Sequence, residues 1–212
     1  MKSFSFILLS ALLLCACKEE APVKKPGLVT TTSTKRISVI GSANRLIPTT
    51  KLREVKQFLR RHPGYNQHTF FLIDMKRPSG LYRFYVVNLR NDSITHAGLV
   101  AQGSNTTQTE QGTLRFSNEI NSHCTSLGKY KISFAYNGNF GKAYKLIGLD
   151  TTNSNAFARA VVLHKYSAVP DEEQDYPIVP SLGCPMVSHA FFKTLESIID
   201  RSSKPLLMEI WY

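Results

Sequence analysis

Cysteine is scarce in this 212-residue chain: there are four, and two of them, Cys15 and Cys17, fall near its start. Only Cys124 and Cys184 remain for the body of the protein, too few for a fold held by a disulfide framework. Acidic residues are also few, 15 Asp and Glu against 26 Lys and Arg, for a net charge of +11. No apolar run reaches the roughly 20 residues a membrane-spanning helix needs. His123-Cys124 is an isolated pair without the four-ligand spacing of a zinc site, so no metal is expected. Internal repeats are absent, and so is any recognisable nucleic-acid-binding module, which leaves the basic balance without a nucleic-acid partner.

What is present begins at the N-terminus. Lys2 and the apolar run 4–14 read as the charged and hydrophobic regions of an export signal. The following Leu14-Cys15-Ala16-Cys17 resembles the lipobox of bacterial lipoproteins, in which a small residue precedes the cysteine that is lipidated. Ala16 places that modification on Cys17, because bulky Leu14 precedes Cys15. Residues 1–16 are therefore expected to be a signal peptide. The protein is expected in the bacterial cell envelope, lipid-anchored, and either periplasmic or surface-exposed. Its membrane contact would run through the lipid alone. Removing residues 1–16 takes away Lys2 and leaves 25 basic against 15 acidic side chains, a charge of +10. Such a surface suits a polyanionic neighbour, and cell-wall peptides with free carboxylates fit that description.

Residues 17–50 are rich in Thr, Ser, Lys and Pro and read as a lipidated flexible tether. Residues 51–212 read as one domain. Leu52, Val55, Phe58 and Leu59 have helical spacing, and His62-Pro63-Gly64 ends that helix. Strands are expected at 69–75, 82–89, 94–102, 129–136, 144–149, 158–164 and 206–212. A late helix carries Phe191, Phe192, Leu195, Ile198 and Ile199 on one face, with Ser188 as its N-cap. The length suffices for a single, mainly β core with a few short helices. Trp211 and Tyr212 end the last apolar strand and are expected to pack the core rather than bind sugar.

Two cysteines in an oxidising compartment suggest a disulfide first. The surroundings of Cys184 argue otherwise. Ser181-Leu182-Gly183-Cys184-Pro185 follows a strand ending in Val161-Val162-Leu163-His164 and precedes the late helix. Small residues before a cysteine expose its sulfur and let backbone N–H groups converge on a reacting carbonyl, forming an oxyanion hole. A nearby imidazole raises the thiolate fraction.

An imidazole at a strand end, an excursion, and then Ser-x-Gly-Cys resembles the YkuD-type murein L,D-transpeptidases, and Pro185 after the cysteine resembles a divergent branch of them. Phe116-Ser117-Asn118, Ser122, 126–130, 144–150 and 153–164 are similar to the same branch, so the likeness covers about residues 68–212. It implies a β-sandwich-like catalytic domain with Cys184 as nucleophile and His164 as base. Gly183 would supply a backbone donor, and Ser181 would order the loop or position substrate. The implied reaction is peptidoglycan acyl transfer, from a stem peptide through a Cys184 thioester to an amine, with no cofactor. An L,D-carboxypeptidase or amidase of the same fold, and a non-catalytic wall-binding lipoprotein, are the alternatives. The chain departs from the pattern at three places: Gln102 stands where a His is expected before Gly103, Cys124 stands for a Ser, and Lys165 stands for a small residue after the base. Arg159 lies five residues before His164. In a regular strand the two would face opposite ways, which favours a structural role for Arg159.

Overall fold

A computed structural model describes residues 46–212. The expected signal peptide, the lipidation site Cys17 and most of the expected tether lie outside the described residues. The first helix, α1 (Thr49–Arg61), starts slightly before its apolar spacing begins and buries Leu52, Val55 and Leu59. Arg60 and Arg61 occupy its last turn, where cations complement the helix dipole.

Nine strands follow: β1 (Thr69–Asp74), β2 (Phe84–Asn88), β3 (Ser93–Gly98), β4 (Val100–Ala101), β5 (Gly128–Gly138), β6 (Gly141–Gly148), β7 (Val162–Lys165), β8 (Met186–Val187) and β9 (Leu207–Trp211). They form one sheet in the order β3-β2-β1-β9-β5-β6-β7-β8-β4. β9 runs parallel to β1, and β8 parallel to β7; the other pairs are antiparallel. β3 and β4 are the two ends of this order, yet only Leu99 separates them in the chain. The sheet therefore curls until it is nearly closed, and the domain is mainly β with two helices, as expected.

The sheet is apolar on both faces where it is covered on both. In β1, Phe70 and Leu72 join Leu52, Val55 and Leu59 under α1. The alternate residues Phe71 and Ile73 face the main core with Phe84, Tyr130, Leu146 and Met208. The period of two explains why this strand reads as a continuous apolar run. The second helix, α2 (His189–Asp200), plugs the main core with Phe192 and Leu195. The Ser188 hydroxyl accepts the Phe191 N–H at 3.1 Å and caps it as expected. His62 caps α1 and His189 opens α2, and both are exposed.

Two expected strands differ. The stretch 94–102 breaks at Leu99 into β3 and β4, which pair with β2 and β8 on opposite edges. The bend is pinned by Arg83, whose Nε and Nη2 donate to Val100 O, and by Gly98, whose missing side chain makes room for the Phe191 ring. The stretch 158–164 is a strand only from Val162. Before it the chain makes turns in which Ala160 has φ +54°. Trp211 packs partly beneath α1, while Tyr212 stays at the surface with its ring 5.1 Å from Phe116.

Candidate active site

β7 places His164 between Ala143 of β6 and Met186 of β8. Cys184 lies just before β8, so the parallel β7–β8 pairing brings the two residues to one region of the sheet. Both line a cavity of about 690 Å³, with Tyr136, Phe140, Tyr166 and Leu182 among its walls. The sulfur accepts the Val162 N–H at 3.4 Å and points its S–H at Ala160 O, 3.8 Å away. Burial pushes the Cys184 thiol above its ordinary pKa, against the opposing pull of the Val162 N–H, Arg159 and Lys145. Burial also lowers the pKa of His164, opposed by a hydrogen bond to Lys165 O at 3.0 Å. Because a carbonyl only accepts, Nδ1 carries the proton in that bond and Nε2 of the neutral ring is left able to accept one. No hydrogen bond between the Cys184 and His164 side chains is present among the described residues.

The loop carrying Cys184 is tied to the sheet mainly by Ser181. Its N–H donates to Gln102 O at 2.8 Å and its carbonyl accepts the Ser104 N–H at 2.7 Å. Its hydroxyl donates to Cys184 O at 2.7 Å and accepts the Gly183 N–H at 3.1 Å. The Gly183 N–H expected to face an oxyanion is thus directed to Ser181 instead. What Gly183 contributes is conformation: its φ is +116°, and a Cβ there would sit 2.9 Å from Cys124 O. These four hydrogen bonds join Ser181 to both the loop and the end of β4.

The departures from the sequence pattern have local explanations. Gln102 Oε1 accepts from Arg83 Nη1 at 3.0 Å, and its Nε2 donates to Thr106 O at 2.6 Å. Arg83 is almost wholly buried, and burial lowers its pKa to about 10. Gln102 therefore couples a buried cation to the strand end that holds Ser181. Cys124 is buried, and its thiol donates to Asn105 O at 3.3 Å. Cys124 and Cys184 are both free thiols. Lys165 reaches toward the Phe192 ring, 5.5 Å away, and leaves only its carbonyl to His164.

Arg159 requires a correction to the reasoning, because it stands in the turns before β7 and the alternation of a strand does not apply. Its guanidinium donates to Ser117 O at 2.9 Å, to Ser122 Oγ at 3.2 Å and to Cys124 O at 2.5 Å. The structural role holds, but for this reason, and its charge also acts on Cys184. Sequence reading missed Phe140, whose ring stacks on His164 at 4.9 Å and 21° from the β5–β6 turn. An aromatic side chain in a tight Asn-Phe turn between glycines was the available signal. It also missed Lys145, whose charge opposes the effect of burial on Cys184. Among the described residues no three His, Cys, Asp or Glu side chains converge on a possible metal position.

Residues 43–207 match the family model of the L,D-transpeptidase catalytic domain. No curated protein shows significant sequence similarity to the chain. Among solved structures, the cell-shape-determining protein Pgp2 of Campylobacter jejuni is 10% identical with a TM-score of 0.43, over 68% of this chain and 47% of its own. An L,D-transpeptidase of Xylanimonas cellulosilytica is 14% identical with a TM-score of 0.36, over 73% of this chain and 68% of its own. The Enterococcus faecium L,D-transpeptidase is 13% identical with a TM-score of 0.41, over 71% of this chain and 52% of its own. The chain thus spans about half the length of two of these three proteins. By the match over well above half of its length, this chain belongs to the L,D-transpeptidase catalytic domain family.

Proposed function

We propose that the protein is a peptidoglycan-modifying cysteine acyltransferase of the bacterial envelope, with Cys184 as nucleophile and His164 as general base. The observation that carries this reading is the shared cavity. In a chain of this family, a thiol and an imidazole with a free Nε2 open onto the same 690 Å³ space. The substrate is a stem peptide, cut at the bond preceding its terminal D-amino acid. By family resemblance that bond joins meso-diaminopimelate to D-alanine.

The thiol proton passes to His164 Nε2 as Sγ bonds to the scissile carbonyl carbon. The Cys184 N–H serves the resulting oxyanion, since the Gly183 N–H is held by Ser181. As the C–N bond breaks, His164 returns the proton to the departing amine, leaving a thioester on Cys184. An acceptor amine then attacks the thioester, and the sulfur leaves with a proton. Water in place of the amine makes the same steps a carboxypeptidase reaction. No metal or organic cofactor enters these steps. Cys17 carries the lipid that anchors the domain to the membrane.

The test is incubation of the protein with purified disaccharide-tetrapeptide, with products identified by mass spectrometry. Loss of terminal D-amino acid, with or without a cross-linked dimer, is expected from the wild type and absent from Cys184→Ala. His164→Ala should be slower by roughly 10²–10⁴-fold, the usual effect of losing a positioned base. Turnover that survives Cys184→Ala would end the mechanism, and a folded wild type that binds the peptide without altering it would make the protein a wall-binding lipoprotein.

A further inference from the structure

The cavity around Cys184 contains no Asp or Glu among its lining residues, and β6 brings Lys145 beside that lining, though not into it. Lys145 pairs across β6–β7 with Val162, the residue whose N–H holds the sulfur. Its Cβ shares the sheet face of Ala143, Val162 and His164, all three of them cavity walls. The ammonium lies 4.5 Å from the ring of Tyr136, another cavity wall, and 5.9 Å from the ring of Phe157. Lys142, three residues earlier in β6 and on the other face, is neutralised by Glu196 and Asp200. Lys145 has no such carboxylate within 4.0 Å among the described residues. Arg159 spends its hydrogen bonds on neutral oxygens of Ser117, Ser122 and Cys124, so its charge is also uncompensated.

Lys145 is half-buried against two aromatic faces, and no carboxylate among the described residues offsets its charge. From this placement we infer that Lys145 determines specificity, binding a carboxylate carried by the acyl donor next to its scissile bond. A point-charge ammonium on a flexible stem is suited to following such a group as the acyl carbon closes on the sulfur. Lys145 and Arg159 both act on the Cys184 sulfur, which places the two cations within electrostatic reach of the reacting atoms. The inference rests on the acyltransferase reading only for the identity of the carboxylate.

Two alkylating agents of nearly equal size test it without turnover. Iodoacetate and iodoacetamide both form a bond from Sγ to a methylene and expel iodide, but only iodoacetate carries a carboxylate beside the attacked carbon. A change in thiolate fraction alters both rates alike, so their ratio at one pH isolates recognition of the anion. Rates are read by mass spectrometry on the Cys184 peptide. Lys145→Met should lower the iodoacetate-to-iodoacetamide ratio by roughly three- to tenfold, the range for one charge a few ångströms away in a half-wet site, and added salt should shrink the difference. Lys145→Arg should keep most of the ratio. Lys56→Met, on α1, should leave it unchanged. A ratio indifferent to Lys145, or falling equally with Lys56, overturns the inference whatever the turnover. In parallel, tetrapeptide and its C-terminal amide are compared as substrates. If neither is turned over while the ratio depends on Lys145, the acyltransferase reading fails and the anion site stands.

Discussion

Removing Arg159 should weaken the fold and the thiol together. Arg159→Met takes away three charge-assisted donors, to Ser117 O, Ser122 Oγ and Cys124 O. These bonds hold a segment in which Asn121 and His123 adopt φ of 62° and 54°, conformations that side chains other than glycine adopt at a cost. Hydrogen bonds from charged groups contribute about 1.5–3 kcal/mol each when water cannot replace them. Arg159 is partly exposed, so solvent recovers much of this, and a net loss of about 2–3 kcal/mol is expected. For a domain of this size that lowers Tm by roughly 5–10 °C. The pH dependence has a definite sign. Burial raises the Cys184 pKa and Arg159 opposes it, so losing Arg159 raises the pKa further. The alkylation rate with neutral iodoacetamide, which follows the thiolate, should then rise only at higher pH than in the wild type. Arg159→Lys restores the charge without the planar three-way fork, so it should recover much of the pH profile and little of the stability. Thermal unfolding and a pH series of alkylation rates measure both. A Tm within 2 °C of wild type, together with an unmoved profile, would refute the reasoning.

Three other outcomes are expected. Gly183→Ala places a Cβ against Cys124 O at a φ that L-residues rarely adopt, so it should cost about 1–3 kcal/mol and slow Cys184 alkylation; an unchanged Tm and rate would show that the loop tolerates the strain. Cys124→Ser keeps a donor toward Asn105 O and should leave peptide turnover nearly intact, and thiol titration of denatured, unreduced wild type should find both Cys124 and Cys184 free. An active protein with these two cysteines bridged would contradict the mechanism. Cys17→Ser should accumulate as unprocessed precursor or as a soluble form. Acylated mature protein from that variant would remove the anchor.

The elements legible in the sequence were those whose period is set by a single buried face. The spacing of Leu52, Val55 and Leu59, and of Phe192 and Leu195, gave both helices because each lays one stripe on the sheet. Ser188 was legible as a cap because its hydroxyl acts within one turn of its own backbone. The break at Leu99 was not legible, because its causes are Arg83 and Phe191, distant in sequence and brought there by the closing sheet. Lys145 looked like any lysine on a half-exposed strand; only the β6–β7 register sets it opposite the residue that holds the sulfur.

The same contrast accounts for the site. Cys184 and His164 announce themselves through short local patterns, because a Ser-x-Gly-Cys loop and a strand-end imidazole are built from neighbouring residues. The groups that govern their chemistry come from elsewhere in the chain. Gln102 reaches Ser181 from the end of β4, Phe140 covers His164 from the β5–β6 turn, and Arg159 ties down the segment against which Gly183 packs. The first of these contacts depends on the sheet curling until β8 meets β4, since that closure brings Gln102 beside Ser181. A change in β4, far from Cys184 and His164 in the sequence, that loosens the β4–β8 edge therefore acts on the position of the Cys184 loop. Val100, wholly buried between the Arg83 guanidinium and Val187, is the residue through which such a change would pass.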